Sequence, residues 1–270
     1  MENFLQTVTE ERRRDAEAAA AREPLAALQA RVAAMTGRRS LLDRLRRVSK
    51  SEACIVAQIK RAAPVSGLLC ADCDPKRIAG IYEQAGAGAV AVVTEPRHFQ
   101  GQSSDIAAAR AATDLPIMRK DFYSVPYQIY ETAALGADVV LLVAACLDFN
   151  QLRDLYIVAL AIGLEVVVEV HTADELEMAL PLADAIIGVN NRNLLTMKTN
   201  LNVSRELIHM IPSGRLAMAE SGINTRRDVK ELRELGYRGF LIGEALMRSA
   251  NPGLRLRMLL GNTMRSRTEG

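Results

Sequence analysis

The stretch Val166-Val167-Val168-Glu169-Val170 decides how this sequence folds. Its run of valines is typical of a strand that is buried on both faces of a parallel sheet. The carboxylate of Glu169 stands near the end of that strand, where apolar surroundings raise a carboxyl pKa toward neutrality and suit it to acid–base chemistry. A carboxylate that only caps a strand and lies in water is the alternative. Recurrence of the pattern along the chain favours the first interpretation.

An apolar run followed by a helical segment recurs from Cys54 to the end of the chain. The predicted strands are 55–60, 89–94, 116–119, 139–143, 165–170, 185–189, 215–219 and 239–242. Helices are predicted at 74–86, 105–112, 126–135, 149–162, 173–180, 203–211 and 225–235, with a last one running to about residue 260. Asp74-Pro75 indicates one helix start, because an N-cap aspartate precedes a first-turn proline.

Strands and helices that alternate in this order predict an α/β fold, a parallel sheet closed into a (β/α)8 TIM barrel. A doubly wound open sheet is the alternative, but it rarely carries so many regular units. Gly86-Ala87-Gly88 does not support a dinucleotide site, because it lies between a helix and a strand and lacks the third glycine.

The N-terminal part has a different character. Residues 2 to about 50 form a strongly charged helical stretch in which Pro24 can open a second helix. We therefore predict one barrel domain over 1–270, of which 1–50 is a helical extension. Arg44, Arg46 and Arg47 are interpreted as a solvated helix face, although they could instead hold the extension against the barrel.

Composition excludes several classes of function. The chain has 270 residues, is 49% hydrophobic and 24% charged, and carries a net charge of +2. This balance favours neither nucleic acid nor an anionic membrane as a partner. No apolar run reaches the roughly 18 residues of a spanning helix, and the first residues do not resemble a secretory signal. We expect a cytoplasmic protein.

The cysteines and histidines form no pattern of metal ligands. Cys70 and Cys73 make a lone C-x-x-C, but Cys54 and Cys146 stand apart from each other. We interpret all four as plain thiols and expect no metal and no cofactor. His171 lies close to Glu169 in sequence and could enter a site, although a structural role is the favoured interpretation.

Polar residues follow the predicted strands, where the active sites of such barrels lie. They are Lys60, Glu95, Lys120 with Asp121, Glu169, Asn190 with Arg192, Glu220 with Ser221, and Gly243 with Glu244. A mixture of lysines and carboxylates suits acid–base chemistry on a carbonyl or hydroxyl compound. Ser221-Gly222 and Gly243 also allow backbone N–H groups to approach an anion, which predicts a phosphate site.

Several motifs together resemble the indole-3-glycerol phosphate synthase family. They are Met-Arg-Lys-Asp-Phe at 118–122, Pro-Tyr-Gln-Ile-Tyr-Glu at 126–131, Gly-Ala-Asp-Val-Val-Leu-Leu at 136–142, Leu-Glu-Val-Val-Val-Glu-Val-His at 164–171, Gly-Val-Asn-Asn-Arg-Asn-Leu at 188–194, Ala-Glu-Ser-Gly-Ile at 219–223 and Gly-Phe-Leu-Ile-Gly-Glu-Ala-Leu-Met-Arg at 239–248. The resemblance covers essentially the whole chain, including the helical extension.

The resemblance implies a lyase that closes an indole ring on a carboxyphenylamino-deoxyribulose phosphate, with loss of carbon dioxide and water. It implies Lys120 as the general acid at the ketone oxygen, Lys60 near the substrate carboxylate, and Glu169 as the acid–base group of dehydration. Asn190, Glu220 and Ser221 complete the implied catalytic set. The implied substrate contacts are Gln58, Arg192, Glu95, Phe99 and Leu142, and the implied phosphate site comprises Gly222, Gly243 and Glu244.

Two positions depart from the family pattern. The family has glutamate where this chain has Gln58, and serine where it has Ala63. Loss of the carboxylate disfavours the charged form of Lys60. Three possibilities stay open: a synthase, a paralogue acting on a modified anthranilate-derived substrate in secondary metabolism, or a non-catalytic barrel that binds a ligand or regulates a partner. We expect a small phosphorylated substrate and a monomer or weak homodimer.

Overall fold

The computed structural model describes residues 4–49 and 51–262, and its long strands form a closed parallel barrel. Each strand pairs with its neighbours in sequence, and the first pairs with the last through Val56 and Leu241. The strands are β1 Cys54–Ile59, β2 Ala89–Val93, β3 Ile117–Lys120, β4 Val139–Val143, β5 Glu165–Val170, β6 Ile186–Asn190, β7 Ala217–Glu220 and β8 Gly239–Ile242. The predicted (β/α)8 barrel is confirmed, with strand ends shifted by at most two residues.

The helices lie outside the barrel and in the N-terminal extension. They are α1 Phe4–Arg22, α2 Leu25–Ala33, α3 Leu41–Arg47, α4 Pro75–Gln84, α5 Ser104–Arg110, α6 Pro126–Ala134, α7 Phe149–Ala161, α8 Ala173–Ala179, α9 Asn202–Leu207, α10 Arg226–Leu235, α11 Glu244–Met247 and α12 Pro252–Leu260. Asp74 accepts a hydrogen bond from the backbone N–H of Arg77 at 3.1 Å and so caps α4 as predicted. Among residues 4–49 and 51–262, no helix is long and apolar enough to cross a membrane.

The prediction of one continuous helix after β8 is wrong. The segment contains two helices, α11 and α12, separated by residues 248–251. Pro252 has no N–H to donate within a helix and therefore begins a new one. Asn251 caps that new helix, because its side chain accepts a hydrogen bond from the backbone N–H of Leu254 at 2.9 Å.

Side chains of successive strand residues alternate between the barrel interior and the layer under the helices. Val167 belongs to the interior cluster, whereas Val166 and Val168 belong to the cluster between strands and helices. The same alternation turns Glu169 inward, two residues after Val167. The valine run is therefore buried on both faces, as its composition predicts.

Helix α3 closes the lower end of the barrel, the end at which the strands begin. Leu41 and Leu45 are buried within the interior cluster. Glu165, at the start of β5, accepts hydrogen bonds from the Ser40 hydroxyl at 2.5 Å and from the backbone N–H groups of Leu41 and Leu42 at 2.7 and 2.9 Å. A carboxylate on these N–H groups stabilises the first turn of α3 and holds it against the sheet.

Helix α1 is anchored at the opposite end of the barrel. Arg12 donates two hydrogen bonds of 2.8 Å to the carboxylate of Asp121, which follows β3. In α3, Arg44 and Arg47 are exposed, which supports the interpretation of the arginine cluster as a solvated face. Of the predicted helical stretch, residues 2, 3 and 50 lie outside the described residues.

Leu41 and Leu45 together form a leucine plug at this end of the barrel, and the plug should contribute measurably to the free energy of unfolding. Leu45 is 1% exposed, so Leu45→Ala leaves a cavity and should lower the free energy of unfolding by roughly 2–5 kcal/mol. Leu254→Ala is the matched control, because Leu254 is 42% exposed on α12 and its truncation should cost less than about 0.5 kcal/mol. Urea unfolding of both variants measures the difference, and equal midpoints would contradict the role of the plug.

Candidate active site

A cavity of about 470 Å³ opens at the carboxyl ends of the strands. Most of the residues predicted for the site line it: Gln58, Lys60, Phe99, Lys120, Glu169, Asn190, Arg192, Ser221, Gly222, Gly243 and Glu244. They come together because the carboxyl ends of all the strands converge at one end of the barrel. Glu95, Leu142 and Glu220 are not part of this lining.

Lys120 and Glu169 form the central ion pair of the cavity. Lys120 Nζ donates a hydrogen bond to Glu169 Oε2, and Asn190 Nδ2 donates to Glu169 Oε1 at 2.7 Å. Burial alone would raise the pKa of Glu169, but the positive charges of Lys120 and His171 outweigh it and hold that pKa well below its usual range. The expected rise toward neutrality at Glu169 is therefore wrong, because a cation sits directly on the carboxylate.

Glu220 shows the shift that the sequence predicts for Glu169. Its side chain is fully buried behind the cavity wall, and its Oε2 lies 3.7 Å from Lys120 Nζ. Burial and the neighbouring charge of Glu169 raise its pKa to about 8. Neither of its carboxyl oxygens has a hydrogen-bond partner among the described residues. Glu220 is thus a proton-carrying group at neutral pH that touches Lys120 rather than the cavity.

Gly188 provides the space that Glu220 occupies. A Cβ added at Gly188 would lie 2.4 Å from Glu220 Oε1 and 3.0 Å from a methyl group of Val167. Gly243 does the same for Gln58, since a Cβ there would lie 2.1 Å from Gln58 Oε1. These two glycines therefore set how deeply the two polar side chains reach into the barrel.

Lys60 is a second cation in the cavity with different properties. Burial lowers its pKa to about 8; the charge of Glu244 counteracts part of this effect, while Arg192 and other cations add to it. An amine with a pKa near neutrality exchanges protons readily and suits general acid–base chemistry. Lys120 is its opposite: burial disfavours its charge, but Glu169 and Glu220 together raise its pKa above the usual value.

The rim of the cavity combines cations, hydroxyls and a strained turn. Ser66 donates to Glu244 Oε1 at 2.8 Å, and Arg248 Nε donates to the same oxygen at 3.0 Å. Ser221 and Gly222 both have positive φ angles, +60° and +74°. A turn in this region of the backbone can point N–H groups to one side, an arrangement that favours anions.

Ala63, the second departure from the family pattern, precedes three residues that line the cavity but does not line it itself. It belongs to a short antiparallel pair formed by Ala62–Ala63 and Gly67–Leu68. Its neighbours Pro64, Val65 and Ser66 do line the cavity, so the segment itself reaches the site.

Two predicted substrate contacts are corrected by the structure. The buried carboxylate of Glu95 accepts hydrogen bonds from the backbone N–H groups of Arg97, His98 and Phe99 at 2.8, 2.7 and 2.9 Å, so it shapes the turn that carries Phe99 into the cavity. Side chains alternate between the two faces of β4, and the position of Leu142 turns its side chain away from the barrel interior. It packs in the cluster between strands and helices.

Sequence reasoning missed an aromatic wall on one side of the cavity. Phe4 from α1 and Phe122 after β3 both line it, with ring centroids 6.2 Å apart, and Phe122 lies 6.2 Å from Phe99. Phe122 follows Lys120 within the motif at 118–122 and could have been proposed from it. Phe4 has no local signal, because only the docking of α1 brings it to the site.

One group of side chains has the composition of a metal site. Ligand atoms of Glu11, Glu95 and His98 lie within 4.8 Å of one another. The Glu95 carboxylate is already occupied by three backbone N–H groups, and His98 Nε2 lies 3.0 Å from Glu11 Oε2. The protein itself therefore satisfies this group, and we assign no metal to it.

Solved structures with the same architecture have distant sequences. A mutant tryptophan synthase alpha-subunit from Pyrococcus furiosus superposes with a TM-score of 0.61 at 17% identity, covering 78% of this chain and 98% of that one. KGPDC from Streptococcus mutans gives a TM-score of 0.58 at 14% identity, over 78% of this chain and 97% of that one. At such identities the likeness shows the fold alone.

The fold and the cavity together define a barrel enzyme with a site for acid–base chemistry. A sequence model of the family described as indole-3-glycerol phosphate synthase matches residues 5–259. An indole-3-glycerol phosphate synthase from Aromatoleum aromaticum is 40% identical over 97% of this chain and 100% of that protein, and one from Bordetella pertussis is 45% identical over 79% and 82%. The chain belongs to the indole-3-glycerol phosphate synthase family, which confirms the resemblance inferred from its motifs.

The pKa of Lys60 should move in opposite directions when its two charged neighbours are neutralised. Glu244→Gln removes an anion that raises this pKa, so it should fall below about 8. Arg248→Gln removes a cation that lowers it, so it should rise. The pH dependence of Lys60 acylation by a small anhydride, followed by peptide mass spectrometry, measures both shifts. Shifts of one sign in both variants would show that charge does not set this pKa.

Proposed function

We propose that this protein converts 1-(2-carboxyphenylamino)-1-deoxyribulose 5-phosphate to indole-3-glycerol phosphate, with loss of carbon dioxide and water. The observation that carries the proposal is the Lys120–Glu169 pair inside the cavity, with Lys60 as a second cation of different pKa. Ring closure needs a cation at the ketone oxygen, and dehydration needs a positioned proton donor. The cavity offers both types of group.

Lys120 acts on the ketone in this mechanism. Its raised pKa keeps it charged at neutral pH, so it can donate to the oxygen while the aromatic carbon attacks the carbonyl carbon. The new carbon–carbon bond takes its electron pair from the ring, and the ketone oxygen becomes a hydroxyl. Loss of carbon dioxide then returns an electron pair to the ring. Asn190 holds the Glu169 carboxylate in place through its 2.7 Å hydrogen bond.

Glu169 and Lys60 serve the second half of the reaction. Removal of the hydroxyl as water needs a proton donor at that oxygen and a base for the proton that leaves the substrate. Glu169 is ionised and is the proposed acid–base group, and Lys60 can exchange protons because its pKa is about 8. Glu220, behind Lys120, is assigned to tuning the charge of Lys120 rather than to contact with the substrate.

The two ends of the substrate fit different parts of the cavity. The aryl ring is assigned to the wall formed by Phe4, Phe99 and Phe122. The phosphate is assigned to the rim where the backbone around Gly222 and Gly243 lines the cavity together with Arg192 and Arg248. A phosphorylated metabolite is held inside cells by its charge, so we propose the cytoplasm as the location. A monomer or weak homodimer is the proposed state.

A second candidate is favoured by Gln58, which lines the cavity where the family has a carboxylate. An amide at this position removes one negative charge from the surroundings of Lys60. The candidate is a paralogue that acts on a modified anthranilate-derived substrate. A non-catalytic barrel is disfavoured, because Lys60, Lys120 and Glu169 are all retained at the cavity.

Lys120→Met should lower kcat by at least about 10²-fold and change KM much less, because the lost interaction forms mainly in the transition state. The assay is the appearance of indole fluorescence with the purified protein and the carboxyphenylamino substrate. Lys230→Met is the matched control, since Lys230 lies on the exposed face of α10. A wild-type protein without turnover, or a Lys120→Met variant with most of its turnover, would refute the proposal.

Gln58→Glu separates the two candidates. In a synthase, the restored carboxylate raises the protonated fraction of Lys60 and should increase kcat/KM by about tenfold. In a paralogue adapted to another aryl group, the added charge leaves a polar contact unmatched and activity with the ordinary substrate stays low. Gln102→Glu, at an exposed position, controls for the added charge. A gain from Gln58→Glu that Gln102→Glu also produces would argue against an effect within the site.

A further inference from the structure

A series of titratable side chains leads from the Lys120–Glu169 pair toward the protein surface. His171 Nε2 lies 3.3 Å from Glu169 Oε1, and His171 Nδ1 lies 2.9 Å from Glu175 Oε2. The side chain of His171 is 8% exposed, whereas that of Glu175 is 18% exposed. Glu175 therefore meets solvent, His171 is largely shielded, and Glu169 reaches the cavity.

The imidazole of His171 is held in a fixed orientation. The backbone N–H of His171 donates to Glu175 Oε2 at 2.7 Å, the same oxygen that contacts its ring. The backbone N–H of Glu175 in turn donates to the Thr172 hydroxyl at 3.2 Å in the first turn of α8. Nε2 is thereby directed toward Glu169, and it has no hydrogen bond of good geometry among the described residues. An unpaired buried nitrogen facing a carboxylate is arranged to exchange a proton with it.

The reaction itself requires a proton from solvent. This requirement rests on the proposed function. The substrate carboxylate is ionised at neutral pH, and it leaves as neutral carbon dioxide. The water that leaves is also neutral, and the phosphate keeps its charge. Charge balance therefore requires that each turnover takes up one proton, and a donor that is loaded before the substrate fills the cavity can supply it.

We propose that His171, held between Glu175 and Glu169, stores a solvent proton and passes it through Glu169 to Lys120 in each turnover. After Lys120 has given its proton to the ketone oxygen, His171 passes its Nε2 proton to Glu169, and Glu169 passes a proton to the neutral amine of Lys120. His171 is then neutral and keeps its proton on Nδ1, held by Glu175, and it regains a proton at Nε2 through Glu169 when water fills the cavity after product release. No bond other than those to the transferred protons changes, and the net uptake is the one proton that the reaction consumes. His171 acts through Glu169 and is a positioning and relay residue.

The charged groups around His171 support this role. Glu169 faces it from β5 and Glu175 from α8, and Lys120 and Glu220 lie beyond Glu169 on β3 and β7. Burial would lower the pKa of His171, but the two carboxylates outweigh it and raise that pKa to about 9. His171 therefore carries its proton below about pH 9 and loses it above.

A thiol near the relay does not compete with it. Cys146 is within electrostatic reach of Glu169 and Glu175. Burial raises the pKa of its thiol to about 11, so it stays neutral over the range in which His171 titrates. A change of activity near pH 9 can therefore be assigned without a contribution from this cysteine.

The test compares pH profiles of kcat in full-length variants. Wild type should lose kcat near pH 8, as Lys60 deprotonates, and lose more above about pH 9, as His171 deprotonates. His171→Gln keeps a polar side chain without a titrating proton, so kcat should fall about tenfold or more at pH 7. The loss near pH 9 should disappear, while the loss near pH 8 from Lys60 stays. Added imidazole should restore part of the turnover of His171→Ala. His209→Gln is the matched control, because His209 is exposed and remote in sequence from the relay.

A second variant keeps the test decisive if His171 variants do not fold. Glu175→Gln removes one of the two carboxylates that raise the pKa of His171, so the alkaline loss should move to lower pH. A folded His171→Gln variant with wild-type kcat, or one with reduced kcat and an unchanged pH profile, overturns the relay. A wild-type protein without turnover overturns the proposed function, and the relay with it. If the wild type is active but substitution of His171 changes neither kcat nor its pH profile, the relay is overturned and the proposed function stands.

Discussion

A closed parallel barrel offers its inward-facing polar side chains only one route to solvent, and this constraint organises the molecule. The lower end is sealed by Leu41 and Leu45 of α3. A charged side chain that points into the barrel is therefore tolerable only at the carboxyl ends of the strands. Lys60, Lys120 and Glu169 come from three different strand ends and meet there, because no other position inside the barrel can hold them.

Charge balance then decides which form each of these groups adopts. Two carboxylates, Glu169 and Glu220, lie within 4 Å of the ammonium of Lys120. One cation cannot fully neutralise both, so the carboxylate in direct contact stays ionised and the one behind it keeps its proton. Opposite pKa shifts in adjacent carboxyl groups thus follow from their distances to Lys120 and from the burial of Glu220.

Most of the fold could be predicted, because short stretches of sequence determine where each strand and helix lies. Several errors at the site have another origin, because a side chain's contacts depend on residues that are distant in the sequence. Valine-rich runs and N-caps specify the elements within a few residues, and their order leaves little choice of topology. The division of the last segment was readable from Pro252 but was missed. Leu142 was assigned to the cavity although strand alternation turns it the other way. Glu95 instead binds the N–H groups of the following turn, and Phe4 arrives through a contact between α1 and the barrel that no local pattern encodes.

The cap that Glu165 places on α3 has a consequence for how the chain is made. Leu41 and its partner Glu165 are 124 positions apart, so the lower seal joins the extension to the middle of the barrel. At a synthesis rate of about 5–20 residues per second, the extension leaves the ribosome roughly 6–25 s before its partner does. During that time the leucines of α3 have no barrel to fill. The nascent chain therefore exposes these two leucines early, and the N-terminal segment completes its packing only after half of the strands have emerged.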